Sequence, residues 1–144
     1  MRIRITRVDD TLPLPRYETT GAVAFDLAPR IDATIAPGEI AILPANCIIE
    51  VPPGHALILA GRSSLAKRGL VLANGIGVID QDYRGPNDEI HLALRNVTDA
   101  PLTVHRGDRL AQGMILPVAQ AEWEEVPRDA ITAVTRGGFG STGN

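Results

Sequence analysis

Short runs in which branched aliphatic residues alternate with polar ones recur along the chain, and glycine or proline separates most of them. In Ile90-His-Leu-Ala-Leu-Arg95, the side chains of Ile90, Leu92 and Leu94 share one face while His91 and Arg95 take the other. That is the period of a half-buried strand. Comparable runs cover Arg2–Thr6, Ile31–Ile35, Glu39–Leu43, Asn46–Val51, His55–Ala60, Pro101–His105 and Arg109–Val118. Their regular spacing predicts an all-β sandwich, jelly roll or barrel. Helix signals are nearly absent. Ser63-Ser-Leu-Ala-Lys-Arg68 can form one short turn that a serine could cap and Gly69 would end.

The pattern changes near the C-terminus. From Pro127 the chain is polar and then glycine-rich, ending in Thr135-Arg-Gly-Gly-Phe-Gly-Ser-Thr-Gly-Asn144. Such a segment has too little apolar surface to pack by itself, so it is either a disordered tail or an arm that orders on a ligand or neighbour. The expected organisation is one β domain over residues 1–126, followed by an arm over residues 127–144.

Composition narrows the possibilities further. A chain of 144 residues is large enough to bury a core, and with 3% aromatics that core must be aliphatic. A net charge of -3 and a pI near 5.5 argue against nonspecific nucleic-acid binding. No apolar run approaches the ~20 residues of a membrane span. The opening Met1-Arg-Ile-Arg-Ile-Thr6 alternates charge and aliphatics, unlike a signal peptide. A soluble, cytoplasmic protein is expected. The single cysteine, Cys47, excludes an intramolecular disulfide and lies in an apolar run, where a buried structural thiol is the natural reading. The histidines, His55, His91 and His105, have no metal-ligand spacing and read as structural or surface residues.

Candidate chemistry concentrates in a few segments. Asn74-Gly-Ile-Gly-Val-Ile-Asp-Gln-Asp-Tyr-Arg-Gly85 holds two carboxylates, a tyrosine and an arginine within five residues. In an extended strand Asp80 and Asp82 would leave the same face, and either could be a general base; a polar hairpin tip would look the same. Gly61-Arg-Ser-Ser-Leu-Ala66 offers backbone N–H groups, two hydroxyls and a guanidinium to an anion, or is a capped turn with a surface arginine. The Arg136–Gly143 tail has phosphate-cradling chemistry without a Walker lysine, and Phe139 could stack on a base. Asp26, between Phe25 and Leu27, is a lone acid in an apolar alternation: a strand-edge carboxylate, or a group that helps hold a hydrated metal. Arg106–Gln112 reads as a turn leading into a strand.

Taken in order, these segments resemble the five motifs of the homotrimeric dUTP pyrophosphatases (dUTPases): Gly21–Leu27, Arg62–Ala66, Asn74–Gly85, Arg106–Gln112 and Arg136–Gly143. Gln120–Val126 is also similar to the segment that follows the fourth motif. The resemblance implies a distorted jelly-roll, β-clip-like fold, a homotrimer with active sites at subunit interfaces, and a C-terminal arm that closes over the nucleotide. It implies hydrolysis of dUTP to dUMP and pyrophosphate, with Mg2+ carried by the triphosphate. Asp80 would then activate the attacking water. Tyr83 would pack on the deoxyribose and leave no room for a ribose hydroxyl, with Asn74 and the backbone near Gly77 reading uracil. Arg62, Ser63, Ser64, Gln112 and Arg136 would bind phosphates. Asp26 would meet the hydrated magnesium, while Phe139, with Gly140 and Ser141, would cover the base.

The chain departs from that pattern in places. Ala24 stands where a glycine is usual, the Ser63–Asn74 interval is one residue short, Arg136 lies unusually near Phe139, and Pro86-Asn-Asp88 is an insertion. Gly61–Leu70 is closer in wording to dCTP deaminases of the same fold, which makes a deaminase, or a bifunctional deaminase–dUTPase, the rival expectation. The deaminase glutamate position, however, falls on Ala93, and Glu89 lies four residues early. A non-catalytic nucleotide sensor is the third possibility.

Overall fold

The computed structural model describes residues 1–135, 137 and 138. Among these residues eleven short strands form: β1 (Ile5–Arg7), β2 (Phe25–Leu27), β3 (Ala33–Ile35), β4 (Ile40–Pro44), β5 (Cys47–Ile49) and β6 (His55–Gly61), then β7 (Leu70–Leu72), β8 (Ile76–Ile79), β9 (His91–Asn96), β10 (Leu102–Val104) and β11 (Ala111–Pro117). All pairings are antiparallel. They build four small sheets, β1-β5, β3-β10, β2-β11-β6-β8 and β4-β9-β7, a distorted jelly roll. Glycine and proline break the chain too often for longer strands, so the layers share one core instead of extending two wide sheets.

That core is aliphatic, as the composition requires. Leu27, Ile35, Leu57, Leu70, Ile90, Leu92, Leu94 and Val104 are essentially inaccessible, and Phe25 is the one aromatic in the cluster. Its ring explains Gly113: a Cβ there would lie 2.6 Å from the ring edge and 3.0 Å from Leu57. Glycine therefore lets β11, the strand between β2 and β6, close over the phenyl group. Burying each such leucine or isoleucine contributes about 1.5–3 kcal/mol.

Most expected strands form with trimmed ends. β1 begins three residues later than the alternation suggested, because its pairing with β5 starts at Ile5 opposite Ile49. β7 was not anticipated; Leu70-Val-Leu72 is too short to show a period. The Asn74–Gly85 segment is not a hairpin. β7 before it pairs with β9, and β8 within it pairs with β6 in another sheet, so the chain changes layers at Asn74-Gly75. Among the described residues no helix is long and apolar enough to cross a membrane.

Buried polar groups are paired. Asn96 donates to the Ile35 and Ala100 carbonyls at 2.9 and 2.8 Å and organises the turn before β10. Cys47 donates from Sγ to the Ala45 carbonyl, and burial first, then the nearby Glu89 charge, pushes its thiol up to about 12. Asn46 adopts a left-handed conformation (φ 67°) that asparagine tolerates. Its amide is locked by two hydrogen bonds with the Asp9 backbone, at 2.7 and 3.0 Å.

Asp9 in turn ties the N-terminal loop to the β10–β11 turn. Its carboxylate accepts from Thr11 Oγ1 and N and from Arg106 Nη2, and these bonds hold its pKa at about 2. The folded value lies below the ordinary one, so the contribution is present above about pH 4 and disappears as pH falls through about 2. Asp9→Asn should accordingly be less stable than the parent at neutral pH, with the difference shrinking below about pH 4 and gone only below about pH 2. Paired chemical unfolding curves across that range check it, and a constant difference would exclude this linkage.

Candidate active site

One end of the β2-β11-β6-β8 sheet gathers charge around Asp26. Register sets this up: Asp26 on β2 stands opposite Gln112 on β11, which stands opposite Ala60 on β6. Alternation of the flanking Phe25 and Leu27 into the core turns Asp26 the other way, where Arg62 and Arg109 meet it. Arg62 Nε lies 2.9 Å from Asp26 Oδ1, and Arg109 Nη1 lies 3.1 Å from Oδ2. Arg109 also reaches Glu18 at 3.1 Å, and Arg16 holds the other Glu18 oxygen at 3.0 Å. The Arg16 bond first, and the two arginine charges with it, hold the Glu18 pKa below its ordinary value against an opposing desolvation. Gln112 Nε2 donates to the Gly61 carbonyl at 3.2 Å.

The serine turn follows directly. Gly61 fits closely here, since a Cβ would meet the end of the Leu65 side chain at 2.9 Å and push it aside. Leu65 is buried, and the turn is pinned by Arg62 N to Leu110 O at 3.1 Å and Leu65 N to Arg62 O at 2.9 Å. Neither serine caps the turn. Leu65 occupies the cap position of the 3-10 turn Ala66–Arg68, without a side-chain cap bond. Ser63 and Ser64 are left exposed. The expected ending at Gly69 does occur, with φ 73°. A three-residue turn has no appreciable dipole, so any anion affinity here comes from the hydroxyls and from Arg62, which spends two of its five N–H groups internally.

Asp80 and Tyr83 lie at the other end of the sheet. Ile79, the last residue of β8, pairs with Leu57, four positions from Gly61, or about 13 Å at the rise of a strand. Asp80 has already left the strand: Tyr83 N donates to Asp80 O at 3.3 Å, closing a turn over residues 80–83. The two aspartates therefore do not share a strand face, contrary to the extended-strand expectation. Among the described residues no hydrogen bond or ion pair engages the exposed Asp80 carboxylate. Gln81 accepts from Gly54 N at 3.0 Å and anchors the turn to the β5–β6 loop. The Tyr83 hydroxyl donates to the Glu89 carbonyl at 2.9 Å.

Asn74 and Gly77 sit between these groups. Asn74 is exposed at the β7–β8 crossover, where its carbonyl accepts from Ile76 N at 2.8 Å. Gly77 is buried against Leu59, which a Cβ would approach to 3.1 Å, so packing accounts for that glycine. Arg136, Phe139, Gly140 and Ser141 lie outside the described residues. One chain therefore brings together Asp26, Arg62 and Gln112 beside the serine turn, and keeps Asp80 and Tyr83 apart from them.

Two groups escaped sequence reasoning. Arg109 read only as part of a turn leading into a strand, although an acid embedded in Phe25-Asp-Leu27 called for a cationic partner. The other is the Glu89–Arg30 pair, bidentate at 2.8 and 3.1 Å, with Glu89 also accepting from Asn46 N at 2.9 Å. Its partners are 59 and 43 residues distant, and no local signal marks them. No cluster of three or more metal-ligating side chains occurs among the described residues. The arginines occupy one direction on each Asp26 oxygen and leave the second acceptor direction of each, which suits metal-bound water better than direct ligation.

Antiparallel jelly-roll layers that carry an arginine-lined acidic strand and a serine turn at one sheet end place this chain among all-β proteins equipped for a polyanionic ligand. The family model described as dUTPase matches residues 10–143, and the chain belongs to that family. Among its relatives, the deoxyuridine 5'-triphosphate nucleotidohydrolase of Desulfotalea psychrophila is 43% identical over 140 residues, covering 95% of this chain and 91% of the relative. The crystal structure of dUTPase from Streptococcus mutans superposes with a TM-score of 0.76 at 32% identity, covering 83% of this chain and 98% of that one. The dUTPase of Staphylococcus bacteriophage 80alpha, solved with dUPNHPP, gives a TM-score of 0.87 over 99% of both chains; at 19% identity it speaks to the fold.

Proposed function

We propose that this chain hydrolyses dUTP to dUMP and pyrophosphate by water attack at the α-phosphate, in the cytoplasm. The observation that carries the reading is the family match, which runs from residue 10 to residue 143 and so takes in every candidate segment. In this reading Asp80 orients the water and accepts its proton, which its lack of a described partner leaves it free to do. Tyr83 lies against the deoxyribose, and Asn74 with the backbone near Gly77 reads the uracil edge. Arg62, Ser63, Ser64 and Gln112 bind the phosphates. Arg136, Phe139, Gly140 and Ser141 belong to the arm, residues 127–144, that covers the nucleotide. The work is positioning and charge neutralisation rather than covalent chemistry.

Magnesium fits as an ion brought by the triphosphate, with Asp26 accepting from its waters. Bound there, it would neutralise part of the phosphate charge.

The separation of Asp80 from Arg62 within one chain supports a site shared between copies, and a homotrimer would join the two halves. Ile76 and Val78 on the edge strand β8 are each 55% exposed, apolar surface suited to such a contact. Trp123, Ile131 and Val134 are also exposed after β11, where the described residues form no strand, apolar surface that suits an arm lying on a neighbour.

Product analysis tests the reaction. Purified protein should release pyrophosphate from dUTP with magnesium and no ammonia from dCTP. Ammonia release would establish the deaminase, and neither product the nucleotide sensor.

A further inference from the structure

We propose that the Tyr83 hydroxyl and Asp88 together form a sugar-selectivity device, in which the Pro86–Asp88 insertion closes the loop between the ring and the carbonyl that holds it. This rests on the reading that the Tyr83 ring faces the deoxyribose. After Tyr83 the chain makes a three-residue excursion, Pro86-Asn87-Asp88, and returns at Glu89. The excursion is closed twice: Asp88 Oδ2 accepts from Gly85 N at 2.6 Å, and Asp88 N donates to Gly85 O at 3.1 Å.

Its return point is rigid. Glu89 is buried on Arg30 and Asn46 N, and Ile90 pairs through both backbone groups, its N with Cys47 O at 2.9 Å and its O with Ala45 N at 2.7 Å. The Glu89 carbonyl accepts from the Tyr83 hydroxyl at 2.9 Å and lies 2.7 Å from His91 Nδ1.

The ring needs that tie. Tyr83 is 37% exposed, so packing does not enclose it. Excluding a ribose hydroxyl by contact demands a wall that does not yield, and a ring hinged only at its Cα would swing aside. Fastening the hydroxyl to a carbonyl on a buried post makes the ring such a wall. Asp88 closes the loop between ring and post onto Gly85 and so restrains its shape, which gives the insertion a role.

The ratio of kcat/KM for dUTP to that for UTP tests this. A folding defect lowers both substrates together and leaves the ratio alone. Tyr83→Phe and Asp88→Ala should each reduce the ratio about three- to tenfold, the loss of one hydrogen bond's worth of restraint. Asp88→Asn, which retains an acceptor for Gly85 N, should keep the parent ratio. Tyr83→Ala should lower it most. Parent ratios in both Tyr83→Phe and Asp88→Ala, with a reduced ratio in Tyr83→Ala, would overturn the device while preserving the sugar assignment. A reduced ratio in Tyr83→Phe alone would remove Asp88 from it. A parent ratio in Tyr83→Ala would overturn the assignment of Tyr83 to the sugar, and the device with it.

Discussion

Asp80→Asn should bind a non-hydrolysable dUTP analogue within about twofold of the parent and turn dUTP over on the order of 10²–10⁴ times more slowly. The amide keeps the size and one acceptor of the carboxylate but cannot take a proton from water. The backbone should not respond, because the 80–83 turn is closed by main-chain atoms and the Asp80 side chain holds nothing in place among the described residues. Asp82→Asn is the matched control. Since the chain turns at Asp80 and the two aspartates do not continue one strand, it should retain turnover within about threefold. Calorimetric binding of the analogue, set beside steady-state hydrolysis of dUTP, separates the two effects. An Asp80→Asn enzyme with parent-like turnover would remove Asp80 from the chemistry, and an Asp82→Asn loss of equal size would move the base to Asp82.

That contrast also marks how far the sequence could be read. The all-β fold was legible because period-two alternation survives in runs such as Ile90–Arg95, and the aliphatic core followed from so few aromatics. Strand pairing was not legible. The Asn74–Gly85 segment looks like a hairpin because glycines flank alternating aliphatics, and nothing local reveals that β7 and β8 join different sheets. The Asp80–Asp82 inference failed for the same reason: it assumed an extended backbone beyond Ile79, where the chain already turns. The serine cap failed because Leu65, pulled into the core, takes the position a serine would have used.

Site residues were recognised as types more readily than as a constellation. Asp26, Arg62 and Gln112 were singled out separately, and only the register of β2, β11 and β6 brings them to one place. Arg109 was overlooked because charge in a turn usually means solvation, whereas here it closes on an acid that alternation had left outside the core. The departure of greatest interest, Pro86–Asp88, could be seen as an insertion but not interpreted, because its meaning depends on a carbonyl at Glu89 that no motif describes.

Glu89 carries the second large effect. It is the only glutamate near the deaminase position but lies four residues early, and its carboxylate is committed to Arg30 and Asn46 N. Glu89→Ala would strand both, leaving a guanidinium that is about one-third exposed and a buried backbone N–H at Asn46. Breaking a buried ion pair from one side costs about 3–5 kcal/mol, and the partial exposure of Arg30 reduces that to about 2–4 kcal/mol. For a chain of this size the loss corresponds to a Tm lower by about 5–15 °C, compared at equal protein concentration because assembly adds to apparent stability. Arg30→Leu in the Glu89→Ala background should recover part of it, since the orphaned cation is then gone, while the Asn46 N–H remains unpaired. Calorimetry on the parent, both single variants and the double variant gives the coupling directly. A Glu89→Ala protein melting within about 1 °C of the parent would show that water or a shifted side chain replaces the carboxylate, and the post beneath Tyr83 would then need another source of rigidity.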